Sequence, residues 1–162
     1  MQIKFLLDSS DSITGEATIE IEKPIEDIYA YVGNDFFENY TKWAIEVVEF
    51  KPETNKACLG AKAKQVRNDN GENIESVFEI IDFNPNNSLI CQGISAPYRQ
   101  SYLMENENEN QKMNTRLTFR FELLELEMFM RPFQKLIRYA IEDGAESTVE
   151  NIKNLIDVKY SK

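Results

Sequence analysis

Residues 131–157 read RPFQKLIRYAIEDGAESTVENIKNLID. With Phe129 just upstream, the positions that share one side are Phe129, Phe133, Leu136, Ile137, Ala140, Ile141, Gly144, Thr148, Ile152, Leu155 and Ile156. They recur at spacings of three and four, the mark of one apolar stripe along an α-helix. The spacing predicts a helix over residues 132–158. At 1.5 Å of rise per residue this is a rod of roughly 40 Å, the full width of a small domain. Gly144 sits inside the stripe, where glycine costs about 1 kcal/mol of helix propensity. Two explanations are open for it: a close backbone approach, or room left for a ligand.

Upstream of the rod the period changes to two. Met113, Thr115, Leu117, Phe119, Phe121 and Leu123 face one way, and Lys112, Asn114, Arg116, Thr118, Arg120 and Glu122 the other. Such alternation marks a strand with one dry and one wet face. Residues 13–21 alternate in the same way. Pro24 then stands where a helix can begin, because its missing N–H costs nothing there. Ile25, Ile28 and Val32 share a helical face, and Gly33-Asn34 closes the helix. Asp35 is placed to cap a second short helix, FFENYTKW. Further strands are read at residues 45–50, 59–67, 72–83, 88–95 and 97–105. Asn68-Asp69-Asn70-Gly71 is a hairpin turn, and Asn84-Pro85-Asn86-Asn87 another turn. ENENENQ, residues 105–111, is a polar loop without the glycine or ligand spacing of a calcium loop.

Composition excludes several classes. The chain of 162 residues suggests one domain, residues 1–162, with residues 1–12 an extra strand or an arm. Hydrophobic residues are 42% and charged residues 28%, an ordinary globular balance. No apolar run approaches the roughly 20 residues of a membrane helix, so no stable membrane insertion is expected. The net charge is −10, from 28 acidic and 18 basic residues. Phosphate backbones reward Lys and Arg, so nucleic acid is not expected as a partner. The same average disfavours an anionic membrane surface, although it leaves room for a local basic patch. The chain has no histidine. That removes Ser-His-Asp and Cys-His catalysis and the commonest metal ligand. Cys58 and Cys91 fall in expected sheet segments and read as buried, reduced thiols. Two isolated thiols make no zinc site, so neither metal nor cofactor is expected. MQIKFLL is too short for a signal-peptide core, which makes the cytoplasm the expected location. No oligomeric state can be read.

The order of elements is strand, two short helices, six strands, long helix: an α+β chain with a seven-stranded antiparallel sheet. One face of that sheet needs a cover, and only the long helix is large enough. Twist curves the sheet around the helix, and a curved surface leaves space under a straight rod. The predicted lining of that hollow is Phe78, Tyr98, Tyr102, Phe119, Phe121, Phe133, Ile137 and Ile141.

TIEIEKPIEDIYAYVGNDFFENYTKW, LGAKAKQVR, FEIIDFNPNNSLI, NTRLTFRFEL and the helix quoted above together resemble the START-like or SRPBCC superfamily, in its polyketide cyclase/dehydrase and lipid transport group. The resemblance implies the helix-grip fold and an internal apolar cavity for a small hydrophobic ligand such as a lipid, sterol or polyketide. It also implies that Trp43 stands at the cavity edge; a packing anchor between the short helices and the sheet is the other reading. Phe36, Phe37 and Tyr40 read as an entrance lid or as a satellite core. Tyr98, Gln100 and Tyr102 share the inward face, where each hydroxyl needs a ligand, backbone or water partner. Arg67 shares its inward parity with Ala61, Ala63 and Gln65. It meets Asp82, meets an anionic group on a ligand, or reaches water from the strand end. Three functions follow: a binding or transport module, a cyclase/dehydratase using Tyr98, Tyr102, Arg67 and Asp82, or a protein-interaction module without a small ligand. No family catalytic set is matched residue by residue.

Overall fold

The computed structural model describes residues 12–161. The extra strand or arm suggested for residues 1–12 lies, except for Ser12, outside the described residues. Seven strands form one antiparallel sheet: β1 (Ile13–Ile21), β2 (Val47–Pro52), β3 (Lys62–Asp69), β4 (Glu72–Asn84), β5 (Ser88–Gly93), β6 (Tyr98–Asn106) and β7 (Thr115–Leu123). Their spatial order is β1-β7-β6-β5-β4-β3-β2. Neighbours in sequence therefore pair as hairpins, except that β1 crosses over to pair with the last strand. Ile13 lies opposite Leu123 and Ile21 opposite Thr115. Asn70 and Gly71 between β3 and β4 have φ of 51° and 90°, the double positive φ of the tight hairpin turn that Asn-Gly favours.

The wet face of the sheet carries charges in pairs, Arg120 with Glu16 at 2.8 Å and Arg99 with Glu122 at 3.3 Å. The dry face carries Ala63, Phe78, Ile80, Leu89, Tyr102 and Leu117. Strand β2 starts two residues later than read, because Ile45 is turned out to solvent. Strand β7 likewise starts at Thr115, with Met113 exposed. Cys91 is buried in β5, but Cys58 is exposed and lies in the loop before β3, which corrects its reading as a buried sheet residue.

Two short helices bridge β1 and β2: α1 (Ile25–Tyr29) and α2 (Phe36–Trp43). A single π turn, Ala30–Asn34, joins them, where the spacing predicted continuous helix to Val32. The cause is local: a Cβ on Gly33 would sit 2.5 Å from the Tyr29 ring, whose hydroxyl reaches across to the Ser88 carbonyl at 3.0 Å. Asp35 occupies the cap position of α2, but its carboxylate makes no cap hydrogen bond; it faces Lys56 at 3.7 Å instead.

The long helix α3 (Gln134–Lys159) follows a 3₁₀ segment, Met128–Phe133. Its C-terminal half is seated on the sheet through Ala145, Val149, Ile152 and Ile156, all buried. Its N-terminal half is not. Phe129, Phe133 and Leu136 are exposed, against the continuous stripe that the spacing predicts. Phe129 and Phe133 lie in the 3₁₀ segment, ahead of the first α-helical residue, and Leu136 lies in the first turn of α3. The halves meet at Gly15 on β1, where a Cβ would lie 2.6 Å from the Ile141 side chain and 2.9 Å from the Glu142 backbone nitrogen. At Gly144, by contrast, a Cβ would meet nothing within 4 Å. Gly15→Ala should therefore destabilise the fold by about 1–3 kcal/mol through overpacking. Gly144→Ala should stabilise it by up to about 1 kcal/mol. Urea unfolding of the two variants checks the contrast, and equal effects would refute this account of the helix.

Candidate functional site

Beneath the unseated half of α3 lies a cavity of about 720 Å³. Its roof is Ile137, Ala140, Ile141, Gly144 and Thr148 on one helical face, together with Met130 from the 3₁₀ segment. Its floor is the concave face of β3, β6 and β7: Gln65, Arg67, Tyr98, Gln100, Tyr102, Phe119 and Phe121. Tyr40, Trp43 and Ala44 of the α2 end close one side, and Glu46 and the hairpin residues Asn68, Asp69 and Asn70 stand at the solvent side.

Cross-strand register builds the floor. Gln100 is opposite Phe121 and Tyr102 opposite Phe119; Gln65 is opposite Ser76. Tyr98 stacks on Phe121 with ring centroids 5.7 Å apart and planes 7° from parallel. Aromatic walls and buried amides alternate, so the polar atoms have to satisfy one another. They do so in one directed run. Trp43 Nε1 donates to the Tyr102 hydroxyl at 3.2 Å, which donates to Gln100 Oε1 at 2.9 Å. Gln100 Nε2 lies 3.5 Å from the Tyr40 hydroxyl, which donates to Gln65 Oε1 at 2.7 Å. Gln65 Nε2 lies 3.4 Å from both the Tyr98 hydroxyl and Ser76 Oγ. Among the described residues no hydrogen bond carries the run beyond Tyr98 and Ser76. Arg67 stands at this end. Its Nη2 faces Asp69 at 3.5 Å, and its buried Nε has no acceptor.

Burial raises the pKa of every tyrosine in the run, Tyr102 and Tyr40 most strongly and Tyr98 less. The Arg67 charge works in the opposite direction on Tyr40 and Tyr98. Burial likewise pushes the Cys91 thiol far above its ordinary range. At neutral pH these groups are neutral hydrogen-bond donors and acceptors, not bases.

Of the residues singled out from sequence, Trp43, Arg67, Tyr98, Gln100, Tyr102, Phe119, Phe121, Ile137 and Ile141 are brought together around this space. Phe78 is not. It lies on the same face but is wholly buried among Phe36, Tyr40 and Phe50, with no side left to the cavity. Phe133 is not either: it stands at the cap position of α3 and is exposed to solvent. Trp43 fulfils both of its readings: it packs against Phe36 and Tyr40, and it lines the cavity. Phe36, Phe37 and Tyr40 belong to the main core rather than to a satellite. Arg67 does not meet Asp82, whose partner is Ser88 Oγ. Gln65 and Ser76 were missed as site residues, although the inward parity of Gln65 was a visible signal, and Tyr40 was read only as lid or core.

No family model matches the sequence, and no curated protein does. Solved structures do. An aromatase/cyclase from Streptomyces sp. R1128 matches with a TM-score of 0.74 at 8% identity, over 91% of this chain and 95% of that one. The chain shares its helix-grip fold with these structures. The same helix-grip architecture matches norcoclaurine synthase from Thalictrum flavum, in complex with dopamine and hydroxybenzaldehyde, with a TM-score of 0.67 at 11% identity, over 97% of this chain and 94% of that one. Ginseng major latex-like protein 151 from Panax ginseng matches with a TM-score of 0.61 at 13% identity, over 88% and 97%.

The raised tyrosines make a prediction for alkaline pH. In the unfolded chain a tyrosine ionises near 10; in the folded chain Tyr40, Tyr98 and Tyr102 hold their protons above that. Their contribution to stability is then complete below pH 10 and is lost as pH rises beyond it. The urea midpoint should fall above pH 10, with tyrosinate absorbance from these residues appearing only as the fold is lost. Native-state ionisation of every tyrosine near pH 10 would contradict it.

Proposed function

We infer that the protein binds a small, largely apolar molecule of the lipid, sterol or polyketide-like kind inside this cavity, and that the molecule presents an acceptor oxygen to Tyr98 and Arg67. The observation that carries the reading is the cavity itself. Its volume of about 720 Å³ lies within the roughly 300–1,000 Å³ of small-molecule sites, and it combines apolar walls with a few convergent polar groups, as such sites do. The acceptor oxygen follows from the direction of the hydrogen bonds. Each hydroxyl upstream has spent its proton on the next group, Tyr98 and Ser76 end the run within hydrogen-bond reach of each other, and the buried Arg67 Nε still has a hydrogen to give. A buried donor left unmatched costs about 1–3 kcal/mol, and a ligand carbonyl, hydroxyl or carboxylate removes that cost. Norcoclaurine synthase in complex with dopamine and hydroxybenzaldehyde, two small oxygen-bearing aromatics, supports the same reading.

Catalysis has less support. Asp82 lies outside the cavity lining, and buried tyrosines whose pKa is raised stay protonated and are poor bases at neutral pH. The free thiols, one of them exposed, suit a reducing compartment and support a cytoplasmic location.

Trp43 is the single tryptophan of the chain and lines the cavity, so it reports on occupancy directly. Titration with naphthol, palmitate or cholesterol should change its fluorescence with at least one of them, and native mass spectrometry should find a bound small molecule in protein as purified. Gly144→Phe should abolish the response without lowering Tm, since a side chain there enters open space. Tyr98→Phe should weaken binding about tenfold, the value of one hydrogen bond. A silent Trp43 together with an empty native spectrum would overturn the reading.

A further inference from the structure

The unseated half of α3 leaves a second feature on its outer side. Met128, Phe129, Phe133, Leu136 and Tyr139 are all more than half exposed. Large apolar side chains at this density are not the ordinary scatter of a protein surface. Between them stand Arg131, Lys135 and Arg138, and residues 128–139 contain no acidic residue, in a chain of net charge −10. The arrangement around the helix is ordered. Ile137 and Ile141 face the cavity. Leu136, one residue from Ile137, is turned about 100° from it, and Tyr139 lies further round the same side. Lys135 and Arg138 follow beyond Tyr139 in angle. The lip of the cavity, an exposed apolar strip and a basic strip therefore run side by side along one short segment.

We propose that this segment, residues 128–139, which borders the roof of the cavity, is a docking surface for an anionic lipid bilayer. Charge complementarity identifies the occupant: three cations within twelve residues that hold no acid, beside exposed apolar side chains, suit anionic headgroups. Each Lys or Arg near such a surface contributes about 1 kcal/mol, and the exposed aromatic and aliphatic side chains enter the boundary between headgroups and acyl chains. No described helix is long and apolar enough to cross a membrane, so the contact is peripheral. The choice of a bilayer over an acidic protein rests on the cavity reading above, because a poorly water-soluble ligand has its reservoir in lipid, and Met130 and Ile137 place that reservoir beside the roof of the cavity.

Co-sedimentation of the full chain with vesicles tests this. Equimolar phosphatidylcholine/phosphatidylglycerol vesicles should carry down at least about tenfold more protein at low salt than pure phosphatidylcholine vesicles, with release as salt rises. Lys135→Glu combined with Arg138→Glu should reduce binding to the level of pure phosphatidylcholine, and so should Leu136→Ser combined with Tyr139→Ser. Both variants should keep the wild-type Tm and the Trp43 response to naphthol, since none of the four residues lines the cavity. Equal binding to both vesicles, no binding to either, or wild-type binding by both variants would overturn the proposal. Self-association that the same variants abolish, without vesicle binding, would assign the surface to a second copy and overturn it too. A Trp43 that does not respond while vesicle binding persists would remove the cavity reading and leave the surface intact.

Discussion

Helix α3 is seated on the sheet over only part of its length, and the rest of the molecule depends on where that seating stops. Ala145, Val149, Ile152 and Ile156 are buried against the concave face, so the C-terminal half closes the core. Gly15 marks the limit: β1 has no side chain there, and the helix comes down onto bare backbone at Ile141 and Glu142. Beyond that point the strands curve away while the rod continues straight, because a hydrogen-bonded helix bends only gently. The volume that opens between them is not a packing fault. It is the geometric remainder of laying a stiff cylinder on a twisted sheet.

Once such a volume exists, its walls face a second constraint. Polar groups inside it are shielded from bulk water, and a buried donor or acceptor without a partner is costly. Trp43, Tyr102, Gln100, Tyr40, Gln65 and Tyr98 meet that demand as a single directed series that spans α2, β3 and β6. The series ties the short helices to the sheet, and Asn151 adds a tie from α3 to the Trp43 carbonyl at 3.2 Å. Stability and chemistry are coupled here. The groups that fasten α2 in place also line the cavity, and Arg67 stands at the far end with its Nε unmatched.

Much of this was legible in the sequence. The period of two in residues 113–123, the Asn-Gly turn after β3 and the period of three and four after Pro132 are local patterns, and each element they announce is present. Parity along single strands was enough to place Arg67, Tyr98, Gln100, Tyr102, Phe119 and Phe121 on the concave face. The misplaced residues have separate causes. Phe78 has the same parity as the cavity residues, but it sits on β4, across the sheet where α2 packs, so its surroundings are core. Phe133 continues the helical spacing, yet it ends the 3₁₀ segment at the cap of α3 and is exposed. Gln65 was placed inward, but its part in the hydrogen-bonded series depends on partners up to 33 residues away in sequence.

Composition and period by themselves determined the fold class, the order of elements, the facing of most side chains and the absence of histidine chemistry. They could do so because backbone periodicity is set by local sterics and hydrogen bonding, which a single stretch of chain records. The tertiary structure alone decided which inward residues meet protein and which meet open space, where the helix leaves the sheet, and which buried donor has no acceptor. Those outcomes depend on how two surfaces of different curvature fit together, and no one segment of the chain carries the shape of the other.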